Sequence, residues 1–126
     1  MRLTLVRAVI GTSFELPREL LARYPELDRA RYRRGGLALR IGGWCLGRAT
    51  VSGITLWRTI WLARAVPLDP GLLLHELRHV HQFEGDPVFP LRYLWRSVRY
   101  GYTENPYEAD ARAYAARRLA GTLPIV

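Results

Sequence analysis

At 126 residues the chain has room for one domain with a single core, and its composition, 49% hydrophobic and 24% charged, is globular and excludes a disordered chain. The net charge of +8 rests on arginine alone, because all nineteen basic residues are arginine. Such an excess suits a polyanion, yet the arginines scatter from Arg2 to Arg118, "RARYRR" (29–34) is the one tight cluster, and no nucleic-acid recognition motif accompanies them, so a solvated arginine surface is the plainer reading.

The opening "MRLTLVRAVI" is too short, and too interrupted by Arg7, for a secretory signal. The branched residues at 3–10 predict a strand. "LPRELLARY" starts a helix with Pro17 near its first turn and acidic residues early, as the helix dipole favours. "PELDRARYRRGG" extends it past Pro25, and Gly35-Gly36 ends it. In the glycine-punctuated middle, Leu37, Leu39 and Ile41 alternate with Ala38 and Arg40 as a strand does. Cys45, the sole cysteine, excludes an intramolecular disulfide and a cysteine-rich zinc site, and reads as a small buried apolar residue. Leu56, Arg58, Ile60 and Leu62 then share one parity, with Trp57, Thr59 and Trp61 on the other. This predicts one or two further strands, Gly53 as a bulge or bend, and the two tryptophans packed in the core.

Asp69-Pro70 announces a helix, with Asp as N-cap and Pro at the first position, running through Gln82 or Phe83 to a stop at Gly85. "FPLRYLWRSVRYGY" predicts another, with Leu91, Leu94, Trp95 and Val98 on one face and Gly101 closing it. "NPYEADARAYAARRLAG" is the last: Asn105 caps, Pro106 opens, Gly121 closes. The longest apolar stretches break at Arg58, Arg64 and Arg78, so none is long enough to span a bilayer. The expectation is a single α+β domain in the cytoplasm, without a membrane partner.

Chemistry concentrates in "LLLHELRHVHQ" (72–82). His75 and His79 are four apart, hence on one helix face about 5–6 Å apart at Cβ, a separation from which two imidazoles reach one zinc ion. Glu76 sits one step round, where a carboxylate can take a proton from a water acidified by the metal. Solvated or hydrogen-bonded core histidines are the plain alternative. Catalytic zinc usually takes three protein ligands. His81, two residues past His79, lies on the opposite side of the helix, so the third ligand should be a carboxylate. Glu84 faces away and Asp86 lies past the helix stop. Glu108 in the first turn of the last helix and Glu104 before its cap remain. Asn105-x-x-Glu108 is also a capping-box spacing, and the sequence alone does not separate capping from ligation. Asp110 can orient a ligand imidazole from outside the cluster. Tyr102, Tyr114 and Arg112 are candidate oxyanion donors, as are Tyr100 and Tyr107, with packing as the simpler role of the tyrosines.

"HELRHVHQ" followed by "NPYEADARAYA" resembles the gluzincin group of zinc metallopeptidases, in which two histidines come from one helix and a glutamate from a second. The second motif resembles ImmA/IrrE-like peptidases, and "ATVSGITLWRTIWLARAVPLDPGLLLHELRHVHQ" (49–82) is similar to eCIS-core-like metallopeptidase domains. The resemblance covers residues 49 to about 116. It implies a minimal zincin-like domain with a short antiparallel or mixed sheet packed on the active-site helix and a second, C-terminal ligand helix. It also implies one zinc ion on His75, His79 and Glu108 (Glu104 as fallback), with Glu76 as general base for hydrolysis of a peptide or protein. By it, the strand at 55–63 is an edge to which an extended peptide adds. Arg112 stands four residues past Glu108, where the larger gluzincins carry aspartate. A chain this small has little room to wall a cleft, so a protein partner that completes or regulates the site is a further expectation. The rival readings are a zinc-bearing interaction module without turnover and a basic nucleic-acid-binding protein.

Overall fold

The computed structural model describes residues 2–45 and 51–121, and the side chains of residues 2–4, Trp44 and Cys45 lie outside that description. In chain order the elements are α1 (Arg2–Ile10), β1 (Thr12–Phe14), α2 (Arg18–Arg23), a 3-10 turn (Pro25–Arg29), β2 (Arg31–Arg34), α3 (Leu37–Cys45), β3 (Gly53–Leu56), β4 (Thr59–Leu62), α4 (Pro70–Gly85), α5 (Phe89–Glu104) and α6 (Pro106–Leu119). The four strands form one mixed sheet in the order β1-β2-β4-β3, parallel at β2–β4 and antiparallel elsewhere. The expected α+β class, with a short mixed sheet against α4, is the class observed. None of the described helices is long and apolar enough to cross a membrane.

The core lies between the sheet and α4. Ile60 and Leu62 point from β4 to meet Leu73, Leu74, Leu77 and Val80, all fully buried. This is the period-2 pattern of one strand meeting the 3.6-residue pattern of one helix. The α4 helix begins where capping chemistry says: Asp69 accepts a hydrogen bond from the Leu72 amide at 3.0 Å, and Pro70 follows. α6 packs along α4, and Arg118 ties its far end to Glu26 at 2.6 Å.

Four expectations are corrected. Residues 3–10 form helix α1, not a strand. Its end is held by distant groups, since the Ile10 carbonyl accepts from Arg33 Nε at 2.6 Å and Trp61 Nε1 at 2.9 Å. Gly11 then reverses the chain at φ +74°, with an added Cβ only 2.6 Å from the Arg34 oxygen. Residues 37–45 are likewise helical: Leu37 and Ile41, four apart, share an exposed face while Leu39 is buried, so the apparent alternation is a helical pattern. "RYRR" is not a helical extension but strand β2, flanked by β1 and β4. Its arginines serve backbone oxygens: Arg33 bonds Ile10 and Arg34 bonds Ala63 and Val66. Finally, Trp57 is not core. It sits at the β3–β4 turn, 65% exposed, its ring 5.5 Å from that of Phe83, while Trp61 caps α1 from the other face of the sheet.

Candidate metal centre

Two helices build the site. The His75 and His79 rings come from α4, their centroids 5.1 Å apart. Glu108 comes from the first turn of α6, which Asn105 fixes in place. That residue is fully buried; its Oδ1 accepts from the Tyr107 amide at 2.9 Å, and its Nδ2 donates to Ser97 Oγ at 2.9 Å and the Tyr93 oxygen at 3.3 Å. The cap therefore pins α6 to α5 and aims the third residue inward. Glu108 does not close a capping box; the Asn105 amide bonds the Tyr102 oxygen instead.

Glu108 Oε2 lies 2.8 Å from His75 Nε2, and Oε1 lies 3.0 Å from His79 Nε2. The Tyr93 hydroxyl donates to Oε1 at 2.7 Å. One potential ligand atom from each of His75, His79 and Glu108 falls within 4.8 Å of the other two. His79 and Glu108 are buried and His75 is half-buried. Burial alone would lower the His79 pKa, but the hydrogen bond of Glu108, the charges of Glu76 and Glu108, and Gln82 together push it up to about 9. Burial likewise pushes Glu108 up, and the hydrogen bonds from both imidazoles outweigh it, holding the carboxyl well below the usual carboxylate range. Burial and the Glu108 charge drive the Tyr93 hydroxyl upward, so it stays a donor.

The second nitrogen of His79 tests whether a metal fits. His79 Nδ1 is 2.7 Å from Gln82 Oε1. The orientation of this amide follows from its other end, where Nε2 faces two acceptors, the Tyr107 carbonyl and Asp110 Oδ2, both at 3.0 Å. The amide oxygen must then face His79, so Nδ1 donates to Gln82, and Nε2, turned to Glu108, is the nitrogen that a cation would take in place of a proton. Asp110 is itself held by Arg78 Nε at 2.7 Å. The donor set of two Nε2 atoms and one carboxylate suits a borderline divalent ion such as zinc. His75, His79 and Glu108 fit the group.

Glu76, also buried, lies next to the cluster. The Thr55 hydroxyl is 2.7 Å from its Oε2 and 3.1 Å from its backbone oxygen. Gly53, expected as a bulge or bend, is the first residue of β3, directly after a bend at Ser52, and it leaves space: a Cβ there would stand 3.3 Å from Glu76 Oε1 and from Leu62 Cδ2. Glu76, His79, Glu108 and Tyr93 line a cavity of about 420 Å³ whose walls are otherwise mostly apolar, and a neighbouring one of about 390 Å³ exposes His75, Glu76, Tyr102 and Arg112. β3 is the sheet edge beside both cavities, whereas β4, part of the same expected edge, is internal.

The remaining candidates separate. Asp110 reaches the cluster only through Gln82. Tyr114 packs at 5.4 Å from the His81 ring, under the Arg78 guanidinium, and is not part of the cluster. Arg112 is exposed and donates to the Thr103 oxygen at 2.7 Å. Glu104 is exposed at the end of α5 and stays out of the cluster. Glu84 pairs with Arg29 and Asp86 with Arg92. Sequence reasoning missed Gln82, Tyr93 and Thr55. Gln82 stood three residues past His79, within reach on the same face, and so was detectable; the other two come from elements whose placement no local pattern announces.

Comparison with protein-family models, with curated proteins and with solved structures finds no match.

Proposed function

We propose that the chain is a zinc-dependent peptidase with His75, His79 and Glu108 as metal ligands and Glu76 as general base. The observation that carries this reading is the convergence of three ligand atoms within 4.8 Å, with the Glu76 carboxylate lining the same cavities. The likeness of "HELRHVHQ" and "NPYEADARAYA" to gluzincin motifs supports it from the sequence side. When bound, zinc supplies Lewis acidity, polarising a carbonyl and lowering the pKa of a water.

The protein's own groups do the rest. Glu76 accepts the proton from the attacking water and returns it to the leaving amine. Thr55 holds one carboxylate oxygen of Glu76, whose side chain lines both cavities. Tyr93 and Gln82 fix the rotamers of Glu108 and His79, so little reorganisation is required at the moment of reaction. The edge of β3 offers backbone groups along which an extended peptide can lie. Tyr102, on both cavities, is the side chain best placed among the expected oxyanion donors.

The test is Glu76→Gln, assayed on a quenched-fluorescence peptide library with zinc quantified in parallel. Retained zinc with cleavage lost is the expected pair of results. Unchanged cleavage would remove Glu76 from the chemistry, and zinc retention without cleavage in the unsubstituted chain would favour a non-catalytic metal module.

A further inference from the structure

The apolar cavity is bordered by three helices, since Val9 of α1, Leu37 and Ile41 of α3, and Pro90 and Leu94 of α5 line it together with the buried polar groups. Outward, the same helices are unusual in two independent ways. Eleven of the fourteen exposed large apolar side chains among the described residues belong to them. They also carry Arg7, Arg40, Arg92, Arg96 and Arg99 against a single acid of their own, Glu104; Arg92 is paired with Asp86 just before α5, which leaves four of these cations against that one acid.

α5 shows how the two features combine. Its inward face is fixed by Phe89, buried, and by Tyr93 and Ser97, which bond Glu108 and Asn105. The sequence grouped Leu91, Leu94, Trp95 and Val98 on one face, and that face is turned to solvent, with Trp95 62% and Val98 81% exposed. At 100° per residue, Arg92, Arg96 and Arg99 fall on one flank of this apolar stripe. A solvent-facing stripe containing tryptophan and flanked by arginines is the pattern of a helix that lies in a membrane interface, its apolar side chains among acyl chains and its cations at anionic headgroups. Surface docking of this kind needs no spanning length, so it differs from the sequence-based expectation of no membrane partner.

We propose that the face formed by α1, α3 and α5 docks on an anionic membrane surface, so that the cavity opens at headgroup level. Charge complementarity selects this occupant: the face is apolar and cationic together, and a bilayer bearing acidic headgroups matches both. The proposal stands apart from the metal reading, because docking requires no metal.

The experiment is flotation of the full chain with vesicles of phosphatidylcholine alone or mixed with phosphatidylserine, at low and high salt. Binding to the mixed vesicles, weakened by salt, is expected, with a blue shift of tryptophan emission that disappears in Trp95→Phe. Each arginine contributes about fivefold at such a surface, so Arg96→Gln with Arg99→Gln should weaken binding about twenty-five-fold. Val98→Asp, at an exposed position, should abolish binding while circular dichroism stays unchanged. No flotation with mixed vesicles, equal flotation with neutral ones, or unaltered binding by Val98→Asp would each overturn the proposal. A dimer in sedimentation that Val98→Asp dissolves, without vesicle binding, would assign the face to a second copy and overturn it as well.

Discussion

At and around the metal-ligand cluster the buried polar groups are every one partnered; on the outward stripe of α5, outside the cavity lining, the exposed groups are apolar and face solvent. His79, Glu76, Glu108 and Asn105 are each almost inaccessible, and among the described residues no buried side-chain nitrogen or oxygen lacks a hydrogen bond. Leu91, Trp95 and Val98, on the helix that supplies Tyr93 to that cluster, are left open. Neither arrangement serves folding well. A buried ionic cluster is commonly no more stabilising than apolar packing of the same volume, and an apolar stripe gains nothing while it faces water. The two regions thus depart from good packing in opposite directions, and each departure would be relieved by the ligand proposed for it: a cation for the cluster, a lipid surface for the stripe.

Substitutions should break this contrast unequally. The largest effect is expected at the cluster. Glu108→Ala leaves His79 buried beside Glu76 without its principal partner, and should cost about 3–5 kcal/mol in urea unfolding of the metal-free protein. A cost below about 1 kcal/mol would mean that the cluster is not held together by Glu108. Gln82→Ala is intermediate. Loss of the hydrogen bond that fixes the His79 tautomer should weaken zinc about 10–100-fold with the fold retained, read by competition with a chromophoric chelator. Unchanged affinity would show that the Gln82 contact does not orient the ligand. The smallest effect belongs to the outward stripe of α5, where Leu91→Ser should stay within about 0.5 kcal/mol of the unsubstituted chain in the same unfolding assay. A larger loss would show that α5 packs its apolar stripe after all.

The same division marks what could be read from sequence. α4 was legible because its signals are local: Asp69 and Pro70 start it, Gly85 ends it, and the i, i+4 spacing of His75 and His79 needs no tertiary information. α6 was legible for the same reason, down to the Asn105 cap, though only the fold decided that Glu108 turns to the histidines and not to the cap amide. α1 and β2 were not legible, because distant groups set them, and α3 was misread because its exposed i, i+4 pair Leu37 and Ile41 also fits an alternation. The end of α1 is closed by Arg33 and Trp61 from the sheet, and β2 is a strand because β1 and β4 take up both its edges. Periodicity grouped the apolar residues of α5 correctly yet could not say which way the face turns; the hydrogen bonds of Tyr93 and Ser97 decide that.

The central claim is that α4 and α6 jointly grip one divalent cation. Zinc content of the full chain, purified without a histidine tag, after equilibration with zinc and gel filtration, tests it most directly when run beside Glu108→Ala and Glu104→Ala. About one zinc per chain is expected for the unsubstituted protein and for Glu104→Ala, with most of it lost in Glu108→Ala. A chain that takes up no zinc while keeping its fold, or a Glu108→Ala variant that holds zinc as tightly as the original, would contradict the account.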